Sequence, residues 1–257
     1  MKIKFYKIKC VTNLHVGSGD INYNIVDKQV ERDPVNGMPI IHASGIKGAL
    51  RDIISQKNKE LADKIFGGET KNNENNPGTH KFLDAMLIAR PMRVSENDQM
   101  ASIPVTSVDV INSLVDLLNV LKCNKYGIKA ISGVDFGGNE FLANVDRILI
   151  EGEKTGVIDG SVSEEIKKIE EIIGKNFAVA AKINNYDLPV VARNCLETGK
   201  QNLWYEEFVP HGSVFCFAVI APDDSLNIPE IIQIGGNASI GYGICEVTKL
   251  TEVDWCE

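Results

Sequence analysis

The sequence has no two cysteines at CxxC spacing, only four histidines, and no apolar run approaching the length of a membrane span. Each absence removes a class of function. The six cysteines are Cys10, Cys123, Cys195, Cys216, Cys245 and Cys256, and no histidine falls near a cysteine pair. That spacing argues against a zinc site, and a reduced, intracellular protein, expected in the cytoplasm, is the simplest reading. The apolar run VFCFAVIA at Val214–Ala221 has eight residues, whereas a helix needs about 20 to cross a bilayer, so no membrane partner is expected. Gly17 and Gly19 are followed by Asn22, which leaves GxGxxG incomplete, and no lysine completes a Walker motif; a nucleotide cofactor is poorly supported. Cationic excess is missing too. The formal net charge of −8 argues against coating nucleic acid by bulk electrostatics, so any RNA contact must gather its cations on one surface.

What is present suits one large core or two small ones: 257 residues, 44% of them hydrophobic. The opening MKIKFYKIKC alternates charge and bulk, which reads as a strand over Lys2 to Leu14 and not as a signal peptide. A phase break at Phe5–Tyr6 predicts a bulge. Ser44 reads as an N-cap, with Ile46, Leu50, Ile53 and Ile54 at helical spacing up to Lys57. Glu60 to Phe66 continues as a short helix, and residues 67–80, rich in Asn and Gly, read as a mobile insertion in a single domain spanning 1–257. Phe82 to Ile88 predicts a strand, Pro104 to Lys122 a helix, and Phe141 to Ile150 a strand. Ser161 with Glu164 reads as a capping box for a helix through Ile173. Strands are expected at Phe177–Ile183, Leu188–Ala192 and Val214–Ala221. Leu226–Ile234 suggests a short helix, and a Gly-rich turn leads into a last strand by Leu250. Elements mixed without a βαβα beat favour α+β, a ferredoxin-like sheet with insertions.

Candidate chemistry concentrates between His15 and Arg51. Asp20, Asp27, Glu31 and Asp33 share one Gly-flanked segment. Asp33-Pro34-Val35-Asn36-Gly37 is most simply a turn. Asp27 follows Ile25-Val26 and precedes Lys28; taken alone it reads as a surface acid. The helix start around Ser44, Gly45 and Gly48 is sterically open, and Lys47 and Arg51 flank one face of it. Free N–H groups there suit an anion, and a solvated basic edge is the competing reading. Gly235 and Gly236, with Gly241 and Gly243, permit either a tight turn or a phosphate-backbone contact. His15 and His42 flank the same loop and could make a general acid–base pair.

HVGSGD at His15–Asp20 and IVDKQVERDPVNGMPIIHASGIKGALR at Ile25–Arg51 resemble the N-terminal motif of the RAMP superfamily of CRISPR proteins. Within it, the resemblance is to the repeated backbone subunits of the type III-B (Cmr) effector. KIFGG at Lys64, LDAMLIARPMRV at Leu83, PVTSVDVI at Pro104, LWYEEFVPHGSVF at Leu203 and IGGNASIGYG at Ile234 extend it over most of the chain. Many family members carry Ser-Ser-Leu-Lys-Gly where this chain has Ser44-Gly45-Ile46-Lys47-Gly48. The lysine and second glycine of that phosphate-contacting motif are kept.

The resemblance implies a modified ferredoxin-like, RRM-like RAMP fold with finger and thumb additions. It implies copies stacked along a guide crRNA with other Cmr-complex subunits, and target RNA cut once per subunit. The family's catalytic acid maps onto Asp27, with His15 and Glu206 as weaker support. A solvated carboxylate is a weak base at neutral pH. Asp27 is therefore expected to position Mg²⁺ or Mn²⁺, shared with RNA phosphates, while the 2′-OH attacks in line. Ser44, Gly45, Lys47, Gly48, Arg51, Gly235 and Gly236 are the expected RNA contacts. A non-catalytic guide-binding backbone subunit, or a stand-alone guide-processing endoribonuclease using histidines, are the alternatives.

Overall fold

The structure is a computed structural model and describes residues 1–17, 25–69, 75–95, 100–145, 148–158, 160–182, 187–197 and 200–254. In chain order the first half holds β1 (Lys2–Cys10), β2 (Ile40–Ile41), α1 (Ala43–Lys57), α2 (Lys59–Phe66), β3 (Gly67–Glu69), β4 (Asn75–Pro77), β5 (Lys81–Phe82), β6 (Ala85–Ser95), β7 (Ser102–Ser107) and α3 (Val108–Val120). The second half holds β8 (Phe141–Ala143), β9 (Leu149–Ile150), β10 (Glu153–Val157), α4 (Gly160–Lys167), α5 (Glu170–Ile173), β11 (Ala178–Ala180), β12 (Val190–Glu197), β13 (Lys200–Glu207), β14 (Val214–Ala221), β15 (Ile231–Gln233) and β16 (Ile244–Asp254).

Four antiparallel strands carry the centre, in the order β16-β1-β14-β6. β14 is the expected apolar strand, and all eight of its residues are buried. A strand covered on both faces reads as an unbroken hydrophobic run, which is why its limits could be read from sequence. Tyr6 of β1 stacks on Phe217 of β14 with centroids 5.2 Å apart. β1 ends at Cys10, earlier than expected, but its phase break is real: the register with β16 shifts at Phe5/Tyr6.

Helix α1 follows β1 and buries Ile46, Leu50 and Ile54, one residue per turn, against this sheet. Its start differs from expectation. Ser44 is the second helical residue; the N-cap is His42, whose side chain makes no capping bond. The cap comes from Asp84, 41 residues on, whose Oδ1 accepts from the Ala43 N–H at 2.6 Å. Strand pairing delivers it: Ile40 and Ile41 of β2 lie opposite Met86 and Ala85 of β6, so the residue before β6 reaches the residue after β2.

Strand β6 serves two sheets. Met86 to Ala89 pair with β14, Arg90 to Arg93 with β7, and Val94 and Ser95 with β9. From there β7, β11, β8, β10 and β9 pair in sequence and return to β6, closing a six-stranded ring. Closure removes free strand edges.

Several sequence expectations are corrected here. Pro104 lies in β7, opposite Pro91; α3 begins four residues later, capped by Ser107, whose hydroxyl accepts from Val110 N–H. The strand expected over 141–150 is two separate strands, β8 and β9. No helix spans 226–234. β15 forms there because Ile232 and Ile234 are buried while Ile231 and Gln233 are exposed, a period of two. The polar stretch 67–80 contributes the β3–β4 pair, and residues 70–74 lie outside the described residues. The expected helix to Ile173 is split into α4 and α5, and the side chain of Ser161 lies outside the described residues.

Removing packing from α1 should be costly. Leu50→Ala should lower stability by about 2–5 kcal/mol, and Asp84→Ala, by loss of the cap, by about 1 kcal/mol; urea midpoints measure both. His42 adds a pH term. Partial burial opposes its charged form, but Asp84 at 3.3 Å and Glu31 at 3.5 Å outweigh this and raise it above the ordinary histidine value. Its contribution is whole below about pH 6.5 and fades as pH rises through the higher native value. His42→Gln should flatten that slope in urea titrations across pH 6–8.

Candidate active site

The site is built where β13 meets the segment that follows β1. Leu14 bridges Val209, and Lys28 bridges Glu206. The Asp27 and Lys28 N–H groups both lie 3.1 Å from the Tyr205 carbonyl, and the Tyr205 N–H donates to Asp27 Oδ2 at 2.7 Å. The backbone of β13 thus pins one oxygen of the Asp27 carboxylate. The residue is exposed, and among the described residues it makes no ion pair. Of the other acids in this segment, Asp33 is the expected turn, with Oδ1 accepting from Val35 and Asn36. Glu31 faces His42, and Asp20 lies outside the described residues.

Beneath Asp27 sit two consecutive buried carboxylates on opposite faces of β13. Glu206 is 1% exposed. It accepts from Arg193 Nε of β12 and from Asn237 Nδ2 at 2.8 Å. Lys28 Nζ and His15 Nε2 lie 3.9 and 3.8 Å from its Oε1. Burial pushes the Glu206 carboxyl up, but the hydrogen bonds from Asn237 and Arg193 and the nearby charges outweigh it and leave it below the usual range. Glu207 accepts from the Val30 N–H at 2.9 Å and pairs with Arg32. Lys28 also lies 5.4 Å from the Trp204 ring centroid.

His15 is buried, and its Nδ1 lies 2.7 Å from the Glu207 carbonyl. A carbonyl only accepts, so Nδ1 carries the proton and Nε2 faces Glu206. His42 is held by Asp84 and Glu31 instead. The two histidines conceived as a pair are therefore committed to different acids. The structure places His15 Nε2 3.8 Å from Glu206 and ties the Asp27 backbone and carboxylate to the neighbouring Tyr205. Glu206 is a buried, paired anchor, unlike the exposed Asp27.

For Gly235 and Gly236 the turn reading accounts for the geometry. Gly236 N–H donates to the His15 carbonyl at 2.8 Å. Gly235 has φ +81°, and a Cβ there would lie 2.4 Å from the same oxygen. Both glycines are exposed on their outer side.

On α1, Ser44, Gly45 and Gly48 are exposed and Lys47 is half-buried. A Cβ on Gly48 would meet nothing within 4 Å, so this face is open to close approach. The helix end itself is not open as expected, since Asp84 already occupies the anion position. Arg51 is engaged at the surface with Asp63 at 3.0 Å. Sequence reasoning missed Arg193, Asn237, Arg32 and Glu207. The signal available was the pair of adjacent acids after Trp204-Tyr205, since neighbours on a strand face opposite ways.

Among the described residues no three His, Cys, Asp or Glu side chains gather as a metal cage. Asp27 fits a divalent cation only as one ligand among several, the remainder coming from phosphate oxygens and water.

Residues 7–246 match the family described as the RAMP superfamily. The chain is 25% identical to the CRISPR system Cmr endoribonuclease Cmr4 of Pyrococcus furiosus, over 96% of each chain. Its fold is similar to a chain of the type III-B Cmr-beta complex bound to cognate target RNA, with TM-score 0.74 and 22% identity over 96% of each. It is also similar to oligomeric Cmr4 from Pyrococcus furiosus, with TM-score 0.71 and 21% identity over 98% of this chain and 100% of that one.

Gly235→Ala should lower the melting temperature clearly more than Gly241→Ala. Both have positive φ, but only the first meets a backbone atom, Gly241 having nothing within 4 Å; thermal melts of the two variants test this.

Proposed function

The chain belongs to the RAMP superfamily, and from that premise we propose that it is a backbone subunit of a type III-B CRISPR effector that holds guide RNA and cuts complementary target RNA. The observation that carries the reading is Asp27. Its carboxylate is exposed, fixed through one oxygen by Tyr205 N–H, and among the described residues not spent on any ion pair. An acid anchored by backbone and left facing solvent is poised for a group from outside the chain. The relative in Pyrococcus furiosus, named as a Cmr endoribonuclease, supports cleavage. The target-bound and oligomeric folds support RNA, further copies of this chain and other Cmr subunits as partners, and a cytoplasmic location follows from such an assembly.

The four-strand order β16-β1-β14-β6, with α1 after β1, supports a ferredoxin-like centre. Its second crossover helix is replaced by β15 and a single 3-10 turn at Ala238–Ile240. The six-stranded ring and the β12–β13 hairpin stand as the finger and thumb additions.

In the cut itself, the neighbouring 2′-OH attacks the phosphate in line, so the chain's task is positioning and charge. Asp27 is the acid at the scissile linkage, and Lys28 beside it is a cation for the phosphate. His15, held by the Glu207 carbonyl, and Glu206, held by Arg193 and Asn237, keep Lys28 and the backbone under Asp27 in place. Mg²⁺ or Mn²⁺, shared between Asp27 and RNA phosphates, would supply charge neutralisation when bound. Ser44, Gly45, Lys47 and Gly48 offer a smooth face for guide phosphates, with the Gly235–Gly236 turn as a second contact. Arg51 joins by exchanging Asp63 for phosphate.

Asp27→Asn in the assembled complex should slow target cleavage by about 100-fold or more while target binding persists. Retained cutting would remove Asp27 from the mechanism. Lys47→Ala should reduce the slope of log affinity against log salt for guide RNA by about 1, and Arg51→Ala by less, because Asp63 already holds its charge; filter binding at several salt concentrations reads both.

A further inference from the structure

We propose that Cys10 and Cys245 form a disulfide modification site, a reversible covalent clasp between the first and last strands of the central sheet. The two residues lie directly opposite one another in the β1–β16 ladder. The Cys10 peptide groups point the other way: its N–H donates to the Ser213 carbonyl at 2.9 Å, and its carbonyl accepts from Gly212 N–H at 2.7 Å. Toward β16 the Cys10–Cys245 pair is therefore of the non-hydrogen-bonded kind. Such pairs bring Cα atoms to about 4.5 Å, inside the roughly 4.4–6.8 Å that a disulfide spans. That spacing lies at the short end, where the bond is more readily reduced.

Both thiols are free and buried. The facing Cys245 thiol, together with burial, pushes the Cys10 thiol well up. The other two described free thiols have no such partner. Cys216 lies opposite Lys7 and Met86, and Cys123 follows α3 and bonds to the Leu121 carbonyl.

The position matters as much as the geometry. Just beyond the pair, Val11 N–H donates to the Ile244 carbonyl, Gly243 N–H to Asn13, and Gly236 N–H to His15, each at 2.8 Å. The bond would sit at the root of the two segments that carry His15 and the Gly235–Gly243 turn. It would also close a loop containing nearly the whole chain, which constrains the unfolded state strongly.

The oxidant is a low-molecular-weight disulfide. One cysteine thiolate attacks a reagent sulfur and releases one reagent thiol. The second cysteine thiolate attacks the mixed disulfide and releases the other. The protein loses two protons and two electrons, and the reagent disulfide becomes two thiols. Because both cysteines are buried, the first attack needs local opening or an incompletely folded chain.

The full chain, refolded in oxidised and reduced glutathione and digested without reductant, should yield one peptide joining Cys10 to Cys245. Its melting temperature should rise by roughly 5 °C or more over the reduced chain and return on adding dithiothreitol. Cys10→Ser and Cys245→Ser should each abolish the rise, and Cys123→Ser should not. Free thiols at both positions, glutathione adducts alone, a link to another cysteine, or a linked chain that melts no higher would each overturn the proposal. The peptide map is read on the unmodified sequence, so it decides the matter even if a serine variant fails to fold.

Discussion

A buried carboxylate cannot be left without partners, and this fold depends on satisfying two of them in a row. Glu206 and Glu207 leave β13 in opposite directions, and each is answered by a different part of the chain. Arg193 comes from the other strand of the hairpin, Asn237 from the Gly-rich turn, and His15 and Lys28 from the segment after β1. Arg32 and the Val30 N–H complete Glu207. Removing one partner of a buried ion pair costs several kcal/mol, about 3–5 in measured cases. Four segments are thereby held in one arrangement, and Asp27 inherits its place from the same strand.

What could be read in advance follows from how local each cause is. The eight apolar residues of β14 carry their own signal, and so do Ile46, Leu50 and Ile54 of α1. The bulge at Phe5–Tyr6 was visible as a change of phase. By contrast, the cap of α1 comes from Asp84, and nothing near Ser44 reveals that a carboxylate 41 residues away will take the helix end. Residues 226–234 suggest a short helix, although Leu226, Ile228, Ile232 and Ile234 also fit an alternating pattern. The neighbour, β16, decided between them. Pro104 suggested a helix start, yet a ring closing on β6 placed it in a strand. The ring could not be read at all, since its members are two to six residues long apart from β6, and only their pairing identifies them.

The candidate site divides the same way. Asp27, His15 and Glu206 could be named through a family resemblance, whereas residue type alone left Asp27 a surface acid. Its anchoring by a main-chain N–H has no side-chain signature. Glu206 was expected as loose support and is instead a buried hub, a role set by Arg193 and Asn237, which no motif flagged. The helix start was expected to offer an empty anion seat. The protein fills that seat itself and leaves the smooth flank of Gly45 and Gly48 exposed.

The ring has a bearing on how neighbours can meet. A cylinder closed strand to strand offers, among the described residues, no long open edge along its wall, so another polypeptide has little there to extend by adding a ribbon. Any subunit resting against that half must be recognised by side-chain shape and charge. Such surfaces can drift residue by residue without disturbing the scaffold.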